Sequence, residues 1–117
     1  MIKQNIMSAT EQIIEDFANA WKTLDAELII KHLDSSFVYD SQWVFDSLDY
    51  NAYIDYIRVK FETIKKTSNG PSVMIVPDRY SECGKMIVLK QSFHDAPCFY
   101  RIKIADGKVV KGDLCVF

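Results

Sequence analysis

A change in the spacing of apolar residues predicts an α+β fold for this chain. Up to about residue 67 the apolar side chains recur three and four apart, as one face of a helix requires. After the break at Ser68-Asn69-Gly70-Pro71 they alternate with polar ones, as strands require. Turn-forming residues then cut the second half into four segments, which suits an antiparallel meander. Three N-terminal helices and such a sheet bury both sets of apolar faces when a strongly curved, mainly antiparallel sheet wraps over the helices.

The first helix opens at Ser8. Glu11 stands three residues on, the spacing of a capping box, and Ile13, Ile14, Phe17, Trp21 and Leu24 then form one stripe. Residues 1–9 are expected to be a flexible N-terminal segment. Asp25 is placed to cap a short second helix in which Leu28, Ile29 and Leu33 face the core, and Asp34-Ser35-Ser36 breaks it. Two short strand-forming segments follow, near 37–40 and 43–45. Asp49 caps a third helix running to about Thr67, with Tyr50, Tyr53, Ile54, Ile57, Phe61 and Ile64 on one face. The four strands read 72–78, 85–93, 98–105 and 108–117, joined by turns at Cys83-Gly84, Asp95-Ala96-Pro97 and Asp106-Gly107 and preceded by Asn69-Gly70.

At 117 residues, with 49% hydrophobic and 26% charged residues, the composition is that of one globular domain spanning 1–117. Seven Phe, six Tyr and two Trp supply enough bulk both to fill a core and to line a cavity. The formal charge is −2 and no block of like charge occurs, which argues against nucleic acid as a partner. Lys65-Lys66 closes a helix, where cations complement the dipole. No stretch approaches the ~18 consecutive apolar residues of a membrane span, and the start lacks the apolar core of a secretory signal. Cys83, Cys98 and Cys115 are an odd, widely spaced set without CxxC, as expected for reduced thiols in the cytoplasm.

Two stretches carry a resemblance. "FANAWKTLDAELIIKHLDSSFVYD" (17–40) and "YRIKIADGKVVKGDLCVF" (100–117), in this order of elements, resemble the nuclear transport factor 2-like superfamily, which includes ketosteroid isomerases and SnoaL-like polyketide cyclases. The likeness runs from about Thr10 to Phe117. It implies a cone-shaped sheet around a mostly apolar pocket, and a homodimer whose subunits pack through the outer sheet face. It puts Asp40 at the position of the isomerases' proton-shuttling carboxylate. Strand parity places Val38 and Asp40 on one face and Phe37 and Tyr39 on the other, and the resemblance implies that the Asp40 face is the inward one. It also turns Cys98, Tyr100, Ile102, Gly112, Leu114 and Val116 inward.

Departures from the family pattern limit the chemistry that follows. The oxyanion tyrosine of the isomerases' first helix is matched by Phe17, and their second donor, a protonated aspartate, falls near Cys98. A phenyl ring donates nothing and a thiol donates weakly, whereas one oxyanion donor contributes on the order of 3 kcal/mol. Steroid isomerisation is therefore not the leading expectation, although Tyr53 or Tyr100 could supply a donor from another wall. Phe17, Trp21, Tyr53, Ile57, Cys98, Tyr100 and Leu114 are the candidate lining of a pocket for a small apolar ligand; the plainer alternative for most of them is that they fill the core. For Asp40 the plainer alternative is a turn carboxylate accepting N–H bonds from Ser41 or Gln42.

Other candidates are weaker. His94 with Cys98 could form a nucleophilic pair, or with Cys98 and Cys83 a metal site, but neither spacing is recognisable, and no metal and no cofactor are expected. His32 is expected to face solvent. Arg101, Lys103, Lys111, Asp113 and Cys115 belong to the outer sheet face by parity, with Phe99 and Cys115 in the dimer interface. The expected protein is thus a small SnoaL-like domain that either binds a small hydrophobic molecule or serves as a dimeric module. The alternative is an isomerase- or cyclase-type enzyme using Asp40 as proton-transfer base on a polyketide-like or cyclic enone substrate.

Overall fold

The structure, a computed structural model, describes residues 8–42, 44–67, 70–90 and 96–116. The elements are α1 (Ala9–Thr23), α2 (Glu27–Ile30), β1 (Leu33–Ser41), β2 (Leu48–Asp49), α3 (Tyr50–Thr67), β3 (Ser72–Pro77), β4 (Lys85–Lys90), β5 (Cys98–Ala105) and β6 (Lys108–Val116). One six-stranded sheet holds all the strands in the order β2-β1-β6-β5-β4-β3. All its pairings are antiparallel except β1 with β6, so the fold is α+β with a mixed sheet.

The helix boundaries follow local chemistry. At the start of α1 the Ser8 hydroxyl accepts from the Glu11 N–H at 3.1 Å and the Glu11 carboxylate accepts from the Ser8 N–H at 3.0 Å, the reciprocal box that the spacing predicts. Ser8 and Ala9 thus belong to the helix start, and residues 1–7 lie outside the described residues. Leu24 ends α1 in the left-handed region, at φ 58°, because its side chain stays buried while the backbone turns. Asp25 accepts from the Glu27 N–H at 3.1 Å just ahead of α2, but the N-cap position itself is Ala26, which makes no side-chain cap, so the expected Asp25 cap is displaced by one residue. Asp49 accepts from the Ala52 N–H at 2.9 Å at the start of α3.

Strands β1 and β2 precede α3, as the order of segments predicts, and the first half departs from expectation in two places. Asp34-Ser35-Ser36 does not end a helix but lies inside β1. Asp34 accepts from the Ser36 N–H at 3.0 Å and from its hydroxyl at 2.6 Å, and the register with β6 shifts between Leu33 and Val38. The breaker signal is therefore a bulge-like irregularity inside a strand, where β1 advances five residues while β6 advances two. Val44 and Phe45 form no strand; the Val44 N–H reaches back to the Ser41 carbonyl in a turn, and the second strand is Leu48–Asp49. Trp43 lies outside the described residues.

Helices α1 and α3 pack onto the concave face of the sheet. That face is built from Leu33, Phe37 and Tyr39 of β1, Ile87 and Leu89 of β4, Tyr100 and Ile102 of β5, and Val109, Gly112 and Leu114 of β6, all buried. Against it α1 sets Ile13, Phe17, Ala20 and Trp21, and α3 sets Tyr53, Ile57 and Phe61. Inward Tyr100, Ile102, Gly112 and Leu114 agree with the expected parity; the Val116 side chain lies outside the described residues.

Candidate functional site

Six of the seven expected lining residues meet inside the curve of the sheet. Phe17, Trp21, Tyr53, Ile57, Tyr100 and Leu114 are buried there in one packed cluster, and Cys98 sits half-buried against it. Ring contacts tie the cluster together. Phe17 meets Tyr100 edge-on at 5.9 Å, Phe37 lies 4.9 Å from Tyr53, Tyr39 lies 4.6 Å from Tyr53, and Trp21 meets Phe61 edge-on at 4.9 Å. The arrangement is the interdigitated packing of a protein interior.

Tyr100 reaches the centre of the cluster because Gly112 has no side chain. A Cβ at Gly112 would lie 2.8 Å from the Tyr100 Oη, 2.9 Å from its Cε1 and 3.2 Å from Phe37 Cζ. The hydroxyls of Tyr53 and Tyr100 are 3.1 Å apart, one donating to the other. Burial pushes both phenols, and that of Tyr39, well above the ordinary tyrosine value. At neutral pH they are hydrogen-bond donors and not bases. The Trp21 indole N–H is buried without a hydrogen-bond partner among the described residues.

Asp40 lies elsewhere. The bulky residues of the strand, Phe37 and Tyr39, take the concave face, so Val38 and Asp40 point to the outer one; the expected inward carboxylate is corrected. There the Ser47 hydroxyl donates to Asp40 Oδ1, and Lys111 Nζ stands 3.5 Å from Oδ2. The Asp40 side chain is 40% exposed, with Asp113 directly across the strand pair. The phenols of the core lie on the opposite side of the sheet.

Two carboxylates that sequence reasoning missed are more deeply held. Asp16 on α1 accepts from Gln12 Nε2 at 3.0 Å, lies 2.7 Å from His32 Nε2 and 3.4 Å from Lys31 Nζ. Burial pushes the Asp16 carboxyl upward, but the hydrogen bonds from His32 and Gln12 and the charge of Lys31 outweigh it, and the group stays below the usual aspartate value. His32, expected in solvent, is mostly covered, because this pair fastens α1 to the end of α2. Helical spacing held a signal for Asp16, since it falls among the apolar positions of the stripe from Ile13 to Ala20. Asp78, just beyond β3, is buried and accepts from Arg101 Nε at 2.6 Å; that hydrogen bond holds its carboxyl low. Nothing local in the sequence joins two residues so far apart.

The remaining outer-face charges pair locally: Lys103 Nζ lies 3.6 Å from Glu82 in the loop before β4, and Lys111 lies 4.0 Å from Asp113 on its own strand. Arg101 is in register with Asp113 but bonds Asp78. Cys83, Cys98 and Cys115 are free thiols, and the Cys83 sulfur is 3.1 Å from the Ser81 hydroxyl. His94 lies outside the described residues, and among the described residues no group of three or more His, Cys, Asp or Glu is placed to hold a metal ion. No described helix is long and apolar enough to cross a membrane.

No protein-family model and no curated protein matches this sequence. Solved structures do match. A SnoaL-like protein of unknown function from Burkholderia thailandensis superposes with a TM-score of 0.67 at 17% identity, over 96% of this chain and 98% of that one. A nuclear transport factor 2-like protein of unknown function from Cytophaga hutchinsonii gives 0.64 at 9% identity, over 97% and 94%. An LEH-like epoxide hydrolase of M. tuberculosis gives 0.56 at 14% identity, over 93% and 83%. Identities this low carry no activity from one chain to another, but shared architecture over nearly full length does define the fold. The chain has the nuclear transport factor 2-like fold.

Proposed function

We propose that this chain is a non-catalytic domain of the cytoplasm that pairs with a second copy of itself through the outer face of its sheet. One observation carries the reading. Met74, Val88, Phe99 and Cys115 stand directly opposite one another on four adjacent strands, β3 to β6, making an unbroken apolar row on the convex face. Val76 and Met86, paired with each other, widen it on β3 and β4. Such a row, flanked by the charged side chains of Arg101, Asp113, Lys111 and Asp40, has the apolar-centre, polar-rim character of an isologous interface. The filled interior and the outward Asp40 support the non-catalytic part, since base and donors lie on opposite sides of the sheet.

Sedimentation velocity across the micromolar range tests this. The wild type is expected as a dimer and Phe99→Lys as a folded monomer. A monomeric wild type, or a Phe99→Lys dimer, overturns it.

A second reading, a small-ligand domain, is favoured by the Tyr53–Tyr100 pair. One phenolic proton is used between the two hydroxyls, which leaves the other for a ligand oxygen if the aromatic cluster opens. Titration with a phenol or cyclic enone, followed through the tyrosine ring resonances, separates the readings.

A further inference from the structure

We infer a ligand site at the edge of the sheet's concave face: the groove along α3 takes a small anionic amphiphile, with its carboxylate on Lys60 and its hydrocarbon on Tyr56, Val59 and Leu48. The groove encloses about 600 Å³, within the range of small-molecule sites. One wall is α3, through Ala52, Tyr56, Val59, Thr63 and Ile64; the other is Val44 and Leu48 from the segment between β1 and α3. The surface around it is unusually apolar for exposed helix. Val59 is 65% exposed, and Phe45, next to Val44, is fully exposed.

Charge selects the class of ligand. Among the described residues that line the groove, Asp55 and Lys60 are the charged ones. Elsewhere on α3, Arg58 is engaged by Glu27 at 2.9 Å and Lys65 by Glu62 at 3.1 Å, and Lys66 is not part of the groove. Lys60 has no carboxylate partner among the described residues. Its ammonium lies 5.6 Å from the centre of the Tyr56 ring, and the residue is half-buried beside the groove's apolar lining. Asp55, by contrast, is exposed. An anionic head on Lys60 thus meets a cation seated beside the apolar lining, whereas a cationic head would have only an exposed carboxylate to pair with and would face the Lys60 charge.

The test is a titration of the ¹⁵N-labelled protein with sodium decanoate, and with decylammonium of equal chain length, both below their micellar concentrations. Decanoate is expected to shift the amides of Val44, Leu48, Tyr56, Val59 and Lys60 and to bind more tightly than decylammonium. Lys60→Gln, on the helix surface, should fold normally and lower decanoate affinity about two- to fivefold, the weight of one solvent-accessible ion pair. Four results overturn the inference: no shifts at the groove, equal or tighter binding of decylammonium, unchanged affinity in Lys60→Gln, or shifts confined to the aromatic core. So does loss of self-association in Val59→Asp, which would make the groove's occupant a second copy of the chain.

Discussion

A methyl group added at Gly112 would strike the most crowded point of the interior. Its carbon would sit 2.8 and 2.9 Å from the edge of the Tyr100 ring and 3.2 Å from Phe37, all closer than ordinary van der Waals contact. Neither ring has room to turn, since Tyr100 is packed on Phe17 and Tyr39, and Phe37 on Tyr53. Overpacking of this kind costs about 1–3 kcal/mol. Against it stands a gain of about 0.4–1 kcal/mol, because alanine restricts the unfolded chain more than glycine does and Gly112 is not among the positive-φ residues. Gly112→Ala is therefore expected to lose about 1–2 kcal/mol in urea unfolding at an unchanged m-value. The double variant Gly112→Ala/Tyr100→Phe removes the closest contact but keeps the one at Cε1, so it should recover part of the loss and give a coupling of at least about 0.5 kcal/mol. An alanine variant as stable as the wild type would mean that the aromatic cluster is not packed to contact, and would return the small-ligand reading to first place.

Three further outcomes follow from the carboxylates. Asp40→Asn should change stability by no more than about 0.5 kcal/mol, as for other exposed ion pairs, and a loss several times larger by the same assay would contradict its place on the convex face. Asp16→Asn should narrow its gap to the wild type in acid. The folded-state carboxyl titrates below the usual value, so its stabilisation is whole above the unfolded aspartate pKa of ~3.9 and is lost as the pH falls through the lowered folded value. Urea midpoints of both proteins between neutral pH and about pH 3 check this, and a constant gap refutes it. Arg101→Met strands the buried Asp78 carboxylate and should lower the melting temperature more than Asp40→Asn does; an equal effect would show that Asp78 reaches water on its own.

The helical half was legible wherever chemistry is local. Ser8 with Glu11, Asp25 and Asp49 each bond within three residues, so their spacing alone located the helix starts. Strand parity was equally legible but undetermined in sign. Knowing that Asp40 alternates with Tyr39 does not say which face is concave, and family likeness pointed the wrong way where side-chain bulk pointed the right one. Asp34 with Ser36 misled because the same side-chain-to-backbone bond that stops a helix also builds a bulge. Pairings such as Asp16 with His32 and Asp78 with Arg101 depend on how distant elements dock, and no local pattern encodes that. The same holds for Gly112, whose role is visible only once Tyr100 stands above it.

The parallel contact between β1 and β6 also sets the order in which this molecule can be made. Asp40 pairs with Asp113, more than seventy residues downstream, and β6 is the central strand that joins β1 to the meander. During synthesis β1 therefore emerges with Phe37 and Tyr39 uncovered and with only the two-residue β2 available along one edge. Its other edge stays open until the strand after Asp106-Gly107 has been translated. Contacts this distant in sequence slow folding and prolong the exposure of sticky, unpaired strand. The vulnerable species is thus the nascent chain rather than the finished fold, and substitutions that weaken β6 should appear first as poor yield and aggregation, before any loss measurable in the folded protein.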